Sequence, residues 1–160
     1  MHRAYPIRAT GPSDPGRCEE IMRSLPDWFG IESSVVAYAD AVGRMESYVA
    51  MDGATVAGFI TIDSRSKVAS EIHVLAVARP YHGSGAGRAL VEHVERLLTA
   101  RGIEYLQVKT LGPSRPNEHY ARTRGFYERM GFRPLEENGL WGDVNPCLIM
   151  VKHLSCGQPR

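Results

Sequence analysis

The sequence predicts one mixed α/β domain, with a central sheet of about six to seven strands and about four helices. Strand-like and helical runs alternate along its 160 residues, a usual length for a single domain. The Asp52-Gly53 pair between two β-prone runs is a strong hairpin signal. A glycine-rich loop at residues 79–87 then joins a β-prone run to a helical one. We therefore expect residues 1–160 to form one domain, with a flexible tail at about residues 155–160.

The first half of the chain predicts a strand, two helices and a hairpin. The first helix should begin with Asp14 as its N-cap and Pro15 at its first helical position. The inner side of the second helix should carry Val35, Val36, Ala39 and Val42. The predicted ranges are Tyr5 to Arg8 for the strand, Ser33 to Gly43 for the second helix, and Tyr48 to Met51 and Thr55 to Asp63 for the hairpin.

The second half alternates strands and helices. One helix carries an apolar stripe and meets Gly102 at its C-terminal stop; the stripe comprises Leu90, Val91, Val94, Leu97 and Leu98. The predicted strands are Glu71 to Ala78, Tyr105 to Thr110, Phe132 to Glu136 and Cys147 to His153, and the predicted helices are Gly87 to Arg101 and about Glu118 to Met130.

Composition excludes several classes of function. The formal net charge is +1 and no basic stripe is present, which argues against nucleic acid as a partner. No apolar run approaches the roughly 20 residues of a membrane span, and the start of the chain lacks a signal-peptide pattern. Cys18, Cys147 and Cys156 show no metal-like spacing, and the histidines form no convincing metal site. We expect a cytoplasmic protein with reduced thiols, no metal, and a monomeric or homodimeric state.

The segment from Glu71 to Arg88 carries the most informative chemistry. A predicted strand enters a loop with glycines at positions 83, 85 and 87, and a helix follows at once. Glycines let backbone N–H groups approach a ligand, and a helix N-terminus adds free N–H groups and a positive dipole end. Arg88 can add a full positive charge. These features predict a cradle for a pyrophosphate, although neither the Rossmann glycine spacing nor a P-loop Lys-Ser/Thr pair is present.

Two blocks resemble the GNAT superfamily of N-acetyltransferases. Leu75-Ala76-Val77 followed by residues 82–88, HGSGAGR, resembles the acetyl-CoA segment of that family, and residues 125–132, GFYERMGF, resemble its second conserved block. The resemblance implies a mostly antiparallel sheet with helices on both faces and with the fourth and fifth strands splayed apart. It also implies transfer of an acetyl group from acetyl-CoA to a primary amine by direct attack in a ternary complex.

The same resemblance implies a set of cofactor-binding residues. The backbone of Leu75, Ala76 and Val77 would hold the pantetheine arm and donate an N–H group to the thioester oxygen. The diphosphate would lie on His82, Gly83, Ser84, Gly85, Ala86, Gly87 and Arg88. Tyr120 stands where many members carry an asparagine, His82 replaces the usual Gln or Arg, and Gln107 stands where some members place a glutamate base. The segment at residues 111–117 is longer than usual and could cover the acceptor site.

Three residues are candidates for proton transfer. Tyr127 would protonate the departing thiolate, because a phenol keeps its proton at neutral pH; the alternative is an aromatic side chain packed beside Phe126. Glu71 and His73 lie two apart on one strand, so they face the same side, and either could take the amine proton, directly or through a water. We expect the pair to share this role, with Glu71 ahead of His73. The alternatives are a hydrogen-bonded core histidine and a strand-end carboxylate that only attracts a cationic substrate.

The acceptor site is expected outside the two blocks. Trp28, Phe29 and Glu32 lie in the connection between the first two helices, where an aromatic pair beside a carboxylate suits a cationic amine. The two aromatic residues could equally staple the helices together. Trp141 and the Asn145-Pro146 turn are candidates for the far wall. A small-molecule amine is the expected acceptor, with protein or peptide acetylation and non-catalytic acyl-CoA binding as alternatives.

Overall fold

The computed structural model describes residues 3–155, which form seven strands, four α-helices and a short 3-10 helix. The strands are β1 (Ile7–Ala9), β2 (Glu46–Asp52), β3 (Thr55–Ser64), β4 (Ala69–Val77), β5 (Tyr105–Leu111), β6 (Arg133–Asn138) and β7 (Cys147–His153). The α-helices are α1 (Asp14–Arg23), α2 (Glu32–Arg44), α3 (Ala86–Ala100) and α4 (Glu118–Arg129). Cys156 and almost all of the expected tail lie outside the described residues.

The strands form one mixed sheet in the order β1-β2-β3-β4-β5-β7-β6. The β4–β5 pair is parallel, and the pairs β1–β2, β2–β3, β5–β7 and β6–β7 are antiparallel. The parallel register runs from Ala69 opposite Tyr105 to Ile72 opposite Val108, while β4 itself continues to Val77. The predicted mixed and mostly antiparallel sheet is confirmed.

The β2–β3 hairpin turns where the sequence predicts. Asp52 pairs with Thr55, and Gly53 adopts a φ of +60°, a backbone conformation that costs glycine no steric penalty. The pairing extends beyond the predicted ranges, because β2 already begins at Glu46, opposite Ile62. A register shift between Ala50 and Met51 interrupts the ladder.

The chain divides into two compact units, and each has its own buried residues. The described part of the first comprises residues 3–63 and 73–96, and that of the second comprises residues 64–72 and 97–155. The core cluster of the first unit contains Cys18, Ile21, Met22, Leu25, Val35, Ala39, Val42, Val49, Val56, Phe59, Val74 and Ala76. In the second unit, the fully buried side chains include Leu106, Phe132 and Met150.

The helices confirm most of the predicted periodicity. Leu90, Val91 and Val94 of α3 are fully buried, and Gly102 follows that helix with a φ of +80°. Val36 was expected on the inner side of α2, but it is 51% exposed. That expectation is wrong because the buried stripe runs from Val35 to Ala39 and Val42, about one and two helical turns further on, and Val36 lies about 100° away from Val35 around the helix.

Asp14 does not cap α1 in the predicted way. It is the first residue of the helix rather than its N-cap, which is Ser13. Its buried carboxylate accepts hydrogen bonds from the Gly11 N–H group at 2.6 Å and from the Arg8 guanidinium at 2.7 Å. Pro15 occupies the first turn, as expected. The acidic side chain thus fastens the segment before α1, a role that its position in the sequence does not reveal.

Cys18 and Cys147 are free, buried thiols. Burial raises the pKa of Cys18 to about 12, and it also raises the pKa of Cys147. Both side chains are therefore protonated at neutral pH and behave as small apolar core residues.

We expect Asp14→Asn to lower the free energy of unfolding by about 1–3 kcal/mol at pH 7. The Arg8 hydrogen bond lowers the folded-state pKa of Asp14. Such a carboxylate contributes stability above its unfolded pKa, near about 4, and that contribution is lost as the pH falls through the folded pKa. Urea unfolding of both proteins from pH 7 to pH 3 measures this effect, and the two curves should converge at the acid end.

The matched control is Asp40→Asn. Asp40 also pairs with an arginine, Arg44, but both side chains are exposed, so the expected loss is about 0.5 kcal/mol or less. Equal losses in the two variants would contradict a special role for the buried carboxylate.

Candidate active site

An exposed glycine turn joins β4 to α3. After the 3-10 helix at Arg79–Tyr81, Gly83 has a φ of +74° and Gly85 has a φ of +97°, and α3 begins at Ala86. His82 and Gly83 are exposed, and a Cβ atom added at Gly83 would meet nothing within 4 Å. A ligand can therefore reach the backbone of this turn.

The start of α3 presents backbone donors to that same turn. The Ala89 N–H group donates to the Gly85 carbonyl at 3.0 Å and closes the first turn of the helix. The N–H groups of the preceding helical residues have no acceptor inside the helix, and they carry the positive end of its dipole. Arg88 adds an exposed cation that is paired only loosely with Glu92, at 3.3 Å. This donor set fits an anionic diphosphate.

The His82 side chain turns away from the role of a phosphate ligand. Its Nε2 atom lies 2.7 Å from the Val77 carbonyl, so this nitrogen carries the proton and donates it. The Trp28 ring meets the imidazole edge-on, with centroids 5.8 Å apart. His82 thus anchors the turn to the end of β4. Its own N–H group donates to the Arg79 carbonyl at 3.1 Å, so the cradle begins after this residue.

Along β4, burial alternates with the strand period. Val74 and Ala76 are buried in the first unit, whereas His73, Leu75 and Val77 are only partly buried. Successive side chains of a strand point to opposite faces, so these three partly buried residues share one face. This is the face on which sequence reasoning placed the chemistry.

His73 contacts an aromatic residue that the sequence analysis missed. The Tyr38 ring on α2 lies 5.4 Å from the imidazole, and the Phe29 ring lies 6.1 Å from that of Tyr38. Both pairs meet edge to face. Tyr38 could have been found from its position three residues after the buried Val35, which places it beside the inner stripe of α2.

Glu71 lies in the second unit and is bound by two side chains of β5. Its Oε1 atom accepts a hydrogen bond from Gln107 Nε2 at 2.8 Å and forms an ion pair with Lys109 Nζ, also at 2.8 Å. The Glu71 side chain is 7% exposed and that of Lys109 is 19% exposed. Glu71 stands opposite Gln107 in the parallel register, which explains the contact. The sequence did not single out Lys109, although it is the cation that pairs with this candidate residue.

Tyr127 is buried on α4 between two aromatic rings. The Phe126 and Phe132 rings lie 5.3 Å and 5.4 Å from it. Burial raises the pKa of the Tyr127 hydroxyl above its usual value, which keeps the phenol protonated at neutral pH. The packing of Tyr127 agrees with the alternative of an aromatic side chain that only fills the core. Its retained proton is also compatible with the role of an acid.

The long segment after β5 is fastened to the hairpin of β6 and β7. The Gly112 N–H group donates to the Pro146 carbonyl at 2.9 Å, and Ser114 and Arg115 bond to Glu137 and Asn145. Trp141, in the same β6–β7 connection, is 41% exposed.

Asn117 caps the start of α4, and Tyr120 lies in the first turn of that helix. Asn117 accepts hydrogen bonds from the N–H groups of His119 and Tyr120, at 3.0 Å and 3.1 Å. Tyr120 therefore sits in the first turn of a well-capped helix, where its backbone is already engaged.

The predicted acceptor residues lie around the α1–α2 connection. Trp28 and Phe29 are partly buried and pack against the core cluster of the first unit. Glu32 binds Arg23 through two contacts, at 2.6 Å and 2.8 Å, and this guanidinium lowers the pKa of Glu32. The carboxylate would have to exchange this partner to bind a substrate amine.

A family model described as an acetyltransferase (GNAT) domain matches residues 43–134, more than half of the chain. The chain belongs to the GNAT acetyltransferase family. A curated relative, an uncharacterized N-acetyltransferase of Chlorobaculum tepidum, is 30% identical over 93 residues. That match covers 56% of this chain and 51% of the relative, so the GNAT region matched here spans about half of that protein.

Solved GNAT-type structures share the fold. The ribosomal-protein-S18-alanine N-acetyltransferase from Escherichia coli matches with a TM-score of 0.76 and 20% identity, covering 97% of both chains. An aminoglycoside 6'-N-acetyltransferase complexed with coenzyme A matches with a TM-score of 0.74 and 19% identity, covering 97% of this chain and 99% of the other. At these identities the likeness concerns the fold.

Neither a metal cluster nor a membrane-spanning helix is found within residues 3–155 of this GNAT chain. No group of three or more metal-ligating side chains converges there. None of the described helices has the length and apolar character that crossing a bilayer requires.

We expect Glu71→Gln to lower the free energy of unfolding of this GNAT chain by about 2–4 kcal/mol, because Lys109 would lose its partner in a largely buried place. Chemical unfolding monitored by circular dichroism measures the loss. The double variant Glu71→Gln/Lys109→Met removes both charges and should recover at least half of that stability. If Glu71→Gln alone is as stable as the wild type, the ion pair does not contribute to the free energy of unfolding.

Proposed function

We propose that the chain is an N-acetyltransferase that moves an acetyl group from acetyl-CoA to a primary amine of a small molecule by direct attack in a ternary complex. One observation carries this proposal: a member of the GNAT family presents an exposed glycine turn at the N-terminus of α3. The nitrogen–carbon bond of the amide forms as the carbon–sulfur bond of the thioester breaks. The amine must lose a proton, and the departing thiolate must gain one.

The cradle for the donor is built mainly from backbone. Acetyl-CoA supplies the acetyl thioester, and the N–H groups of Gly83 and of residues 85–88 would hold its diphosphate. Open space around Gly83 and the positive φ values of Gly83 and Gly85 support this fit, as does the coenzyme A bound in the aminoglycoside-acetylating neighbour. The backbone of Leu75, Ala76 and Val77 would orient the thioester and donate to its oxygen.

His73 is the better candidate for receiving the amine proton. It lies on the less buried face of β4, beside Tyr38, and no ion pair ties up its ring nitrogens among the described contacts. The Glu71 carboxylate is already bound through its Oε1 atom by Lys109 and Gln107, so its negative charge has partners within the second unit. We propose that His73 accepts the proton and that Glu71 supplies fixed negative charge.

Tyr127 is proposed to return a proton to the thiolate. Its raised pKa keeps the hydroxyl protonated in the resting state, and a coenzyme A thiolate is a base that can take that proton. The two flanking rings fix the orientation of the phenol, which a positioned acid requires.

A small acceptor is supported by the fastened segment after β5. Its bonds to Glu137, Asn145 and Pro146 hold it against the β6–β7 hairpin, and a segment fixed in this way favours a small acceptor over a peptide. We propose that Trp28 and Phe29 supply the aromatic contact to the acceptor, with Glu32 as a nearby charge. The neighbours named above act on an aminoglycoside and on a ribosomal protein, so both acceptor classes belong in the test.

The decisive experiment is a free-thiol assay with acetyl-CoA and a panel of amines. The panel contains aminoglycosides, polyamines, arylalkylamines and peptide N-termini, and mass spectrometry checks each product for an added acetyl group. Thiol release with a small amine and none with peptides supports the proposal. Release with peptides alone favours protein acetylation, whereas tight coenzyme A binding without any release favours a binding module.

We expect Tyr127→Phe to lower kcat at least about a hundredfold, the scale of general acid catalysis, while the Kd of acetyl-CoA changes less than about twofold. The loss should follow from the missing proton, since the ring and its packing remain. Tyr105→Phe is the matched control, because Tyr105 is partly exposed and stacks on His153. Equal turnover in both variants would remove Tyr127 from the mechanism.

We expect Gly85→Asp to raise the Kd of coenzyme A at least about tenfold. The added side chain strains a φ of +97°, fills part of the cradle and repels the diphosphate. Gly102→Asp is the control, because it places the same charge at a φ of +80° with open space around it, outside the turn. Isothermal titration calorimetry compares the two, and similar affinities would argue against the cradle.

A further inference from the structure

The side chain of Ser84 faces into the protein rather than out of the glycine turn. Its hydroxyl accepts a hydrogen bond from the Tyr5 hydroxyl at 2.7 Å and donates one to the Tyr81 carbonyl at 2.5 Å. The Ser84 N–H group donates to that same carbonyl at 3.2 Å. A residue in the middle of the turn is thereby tied to a residue 79 positions earlier in the chain.

A second set of contacts fixes the two tyrosines themselves. The Tyr81 hydroxyl donates to Asp52 at 2.8 Å, at the end of β2, and Arg3 also pairs with Asp52. The rings of Tyr5 and Tyr81 meet edge-on at 6.1 Å, and the Arg3 guanidinium lies 5.9 Å from the centre of the Tyr5 ring. Tyr5 is buried, so its hydroxyl reaches Ser84 from a rigid base.

We call the Tyr5–Ser84–Tyr81 hydrogen bonds the brace. The brace acts on the part of the candidate cradle with the greatest backbone freedom. Ser84 lies between Gly83 and Gly85, whose positive φ values belong to a residue type with wide backbone freedom. A loop that is ordered before it binds avoids part of the entropy that ordering costs. Holding Ser84 therefore holds the N–H groups on both sides of it.

We infer that Tyr5 is a positioning residue for coenzyme A: acting through Ser84, it holds the backbone donors of the neighbouring Gly83 and of residues 85–87 in the arrangement that binds the diphosphate. The Ser84 hydroxyl serves this brace and is not itself a ligand. The inference rests on the proposed function, since it assigns a diphosphate to the turn. Tyr5 precedes residues 43–134, so the brace comes from a segment outside the matched family region.

The test is Tyr5→Phe, which keeps the ring and removes one hydrogen bond. We expect the Kd of coenzyme A and the KM of acetyl-CoA to rise about three- to tenfold, the scale of one net hydrogen bond, with kcat unchanged. A donor without a diphosphate, S-acetylpantetheine, should keep its kcat/KM within about twofold. A merely structural role would affect both donors alike.

A double-mutant cycle separates the brace from other effects. If Tyr5 acts only through Ser84, adding Tyr5→Phe to Ser84→Ala should not weaken coenzyme A binding further. If the fold-increases in the Kd of coenzyme A caused by the two substitutions multiply in the double variant, Tyr5 does not act through Ser84. Ser84→Ala also covers the case in which Tyr5→Phe does not fold, because it removes the same contact from the other side.

The matched control is again Tyr105→Phe, which should leave the Kd of coenzyme A unchanged. Normal wild-type binding together with an unchanged Kd in Tyr5→Phe would overturn the positioning role alone. Equal losses with acetyl-CoA and S-acetylpantetheine would overturn it as well. A wild-type chain that does not bind coenzyme A at all would overturn the proposed function, and the role of Tyr5 with it.

Discussion

The backbone N–H groups at the start of α3 impose the central constraint on this molecule. Helical geometry leaves the first of them without an acceptor inside the helix, so each needs water or a ligand. The chain keeps them accessible by entering the helix through Gly83 and Gly85, whose positive φ values few other residues would tolerate. The strand before the turn and the apolar stripe after it hold this junction in place, and the proposed chemistry depends on its donors.

Much of this junction could be predicted from the sequence, because its signals are local. The hairpin at Gly53, the stripe of α3 and the glycine spacing each lie within one short segment. The errors and omissions arise where a distant residue decides. Asp14 accepts hydrogen bonds from Arg8 and Gly11 instead of capping its helix. Tyr5 donates a hydrogen bond to Ser84, which lies 79 positions later in the chain. Spacing along one element carries no information about such partners.

The two candidate bases illustrate the same limit. From the sequence, Glu71 is a carboxylate and His73 an imidazole on the same face of one strand. Their spacing alone does not show which of them takes the proton. The parallel register places Gln107 opposite Glu71, and Lys109 follows two residues later on the same strand. The Glu71 carboxylate is bound by a cation and an amide, whereas the His73 imidazole lies beside an aromatic ring and forms no ion pair among the described contacts. Pairing between strands, rather than periodicity, therefore separates their proposed roles.

The sequence predicts a site for the acetyl donor but not the identity of the acceptor, and this difference has a physical cause. A cradle built from backbone amides needs a turn geometry and a few glycines, so it survives wide changes in other side chains. Neighbours at 19% and 20% identity accordingly keep the fold at TM-scores of 0.74 and 0.76, while their names give an aminoglycoside and a ribosomal protein as acceptors. In the proposed function, acceptor recognition falls to side chains such as Trp28 and Trp141, which that shared geometry leaves free to vary. The donor can thus be inferred from backbone architecture, and the acceptor must be found by assay.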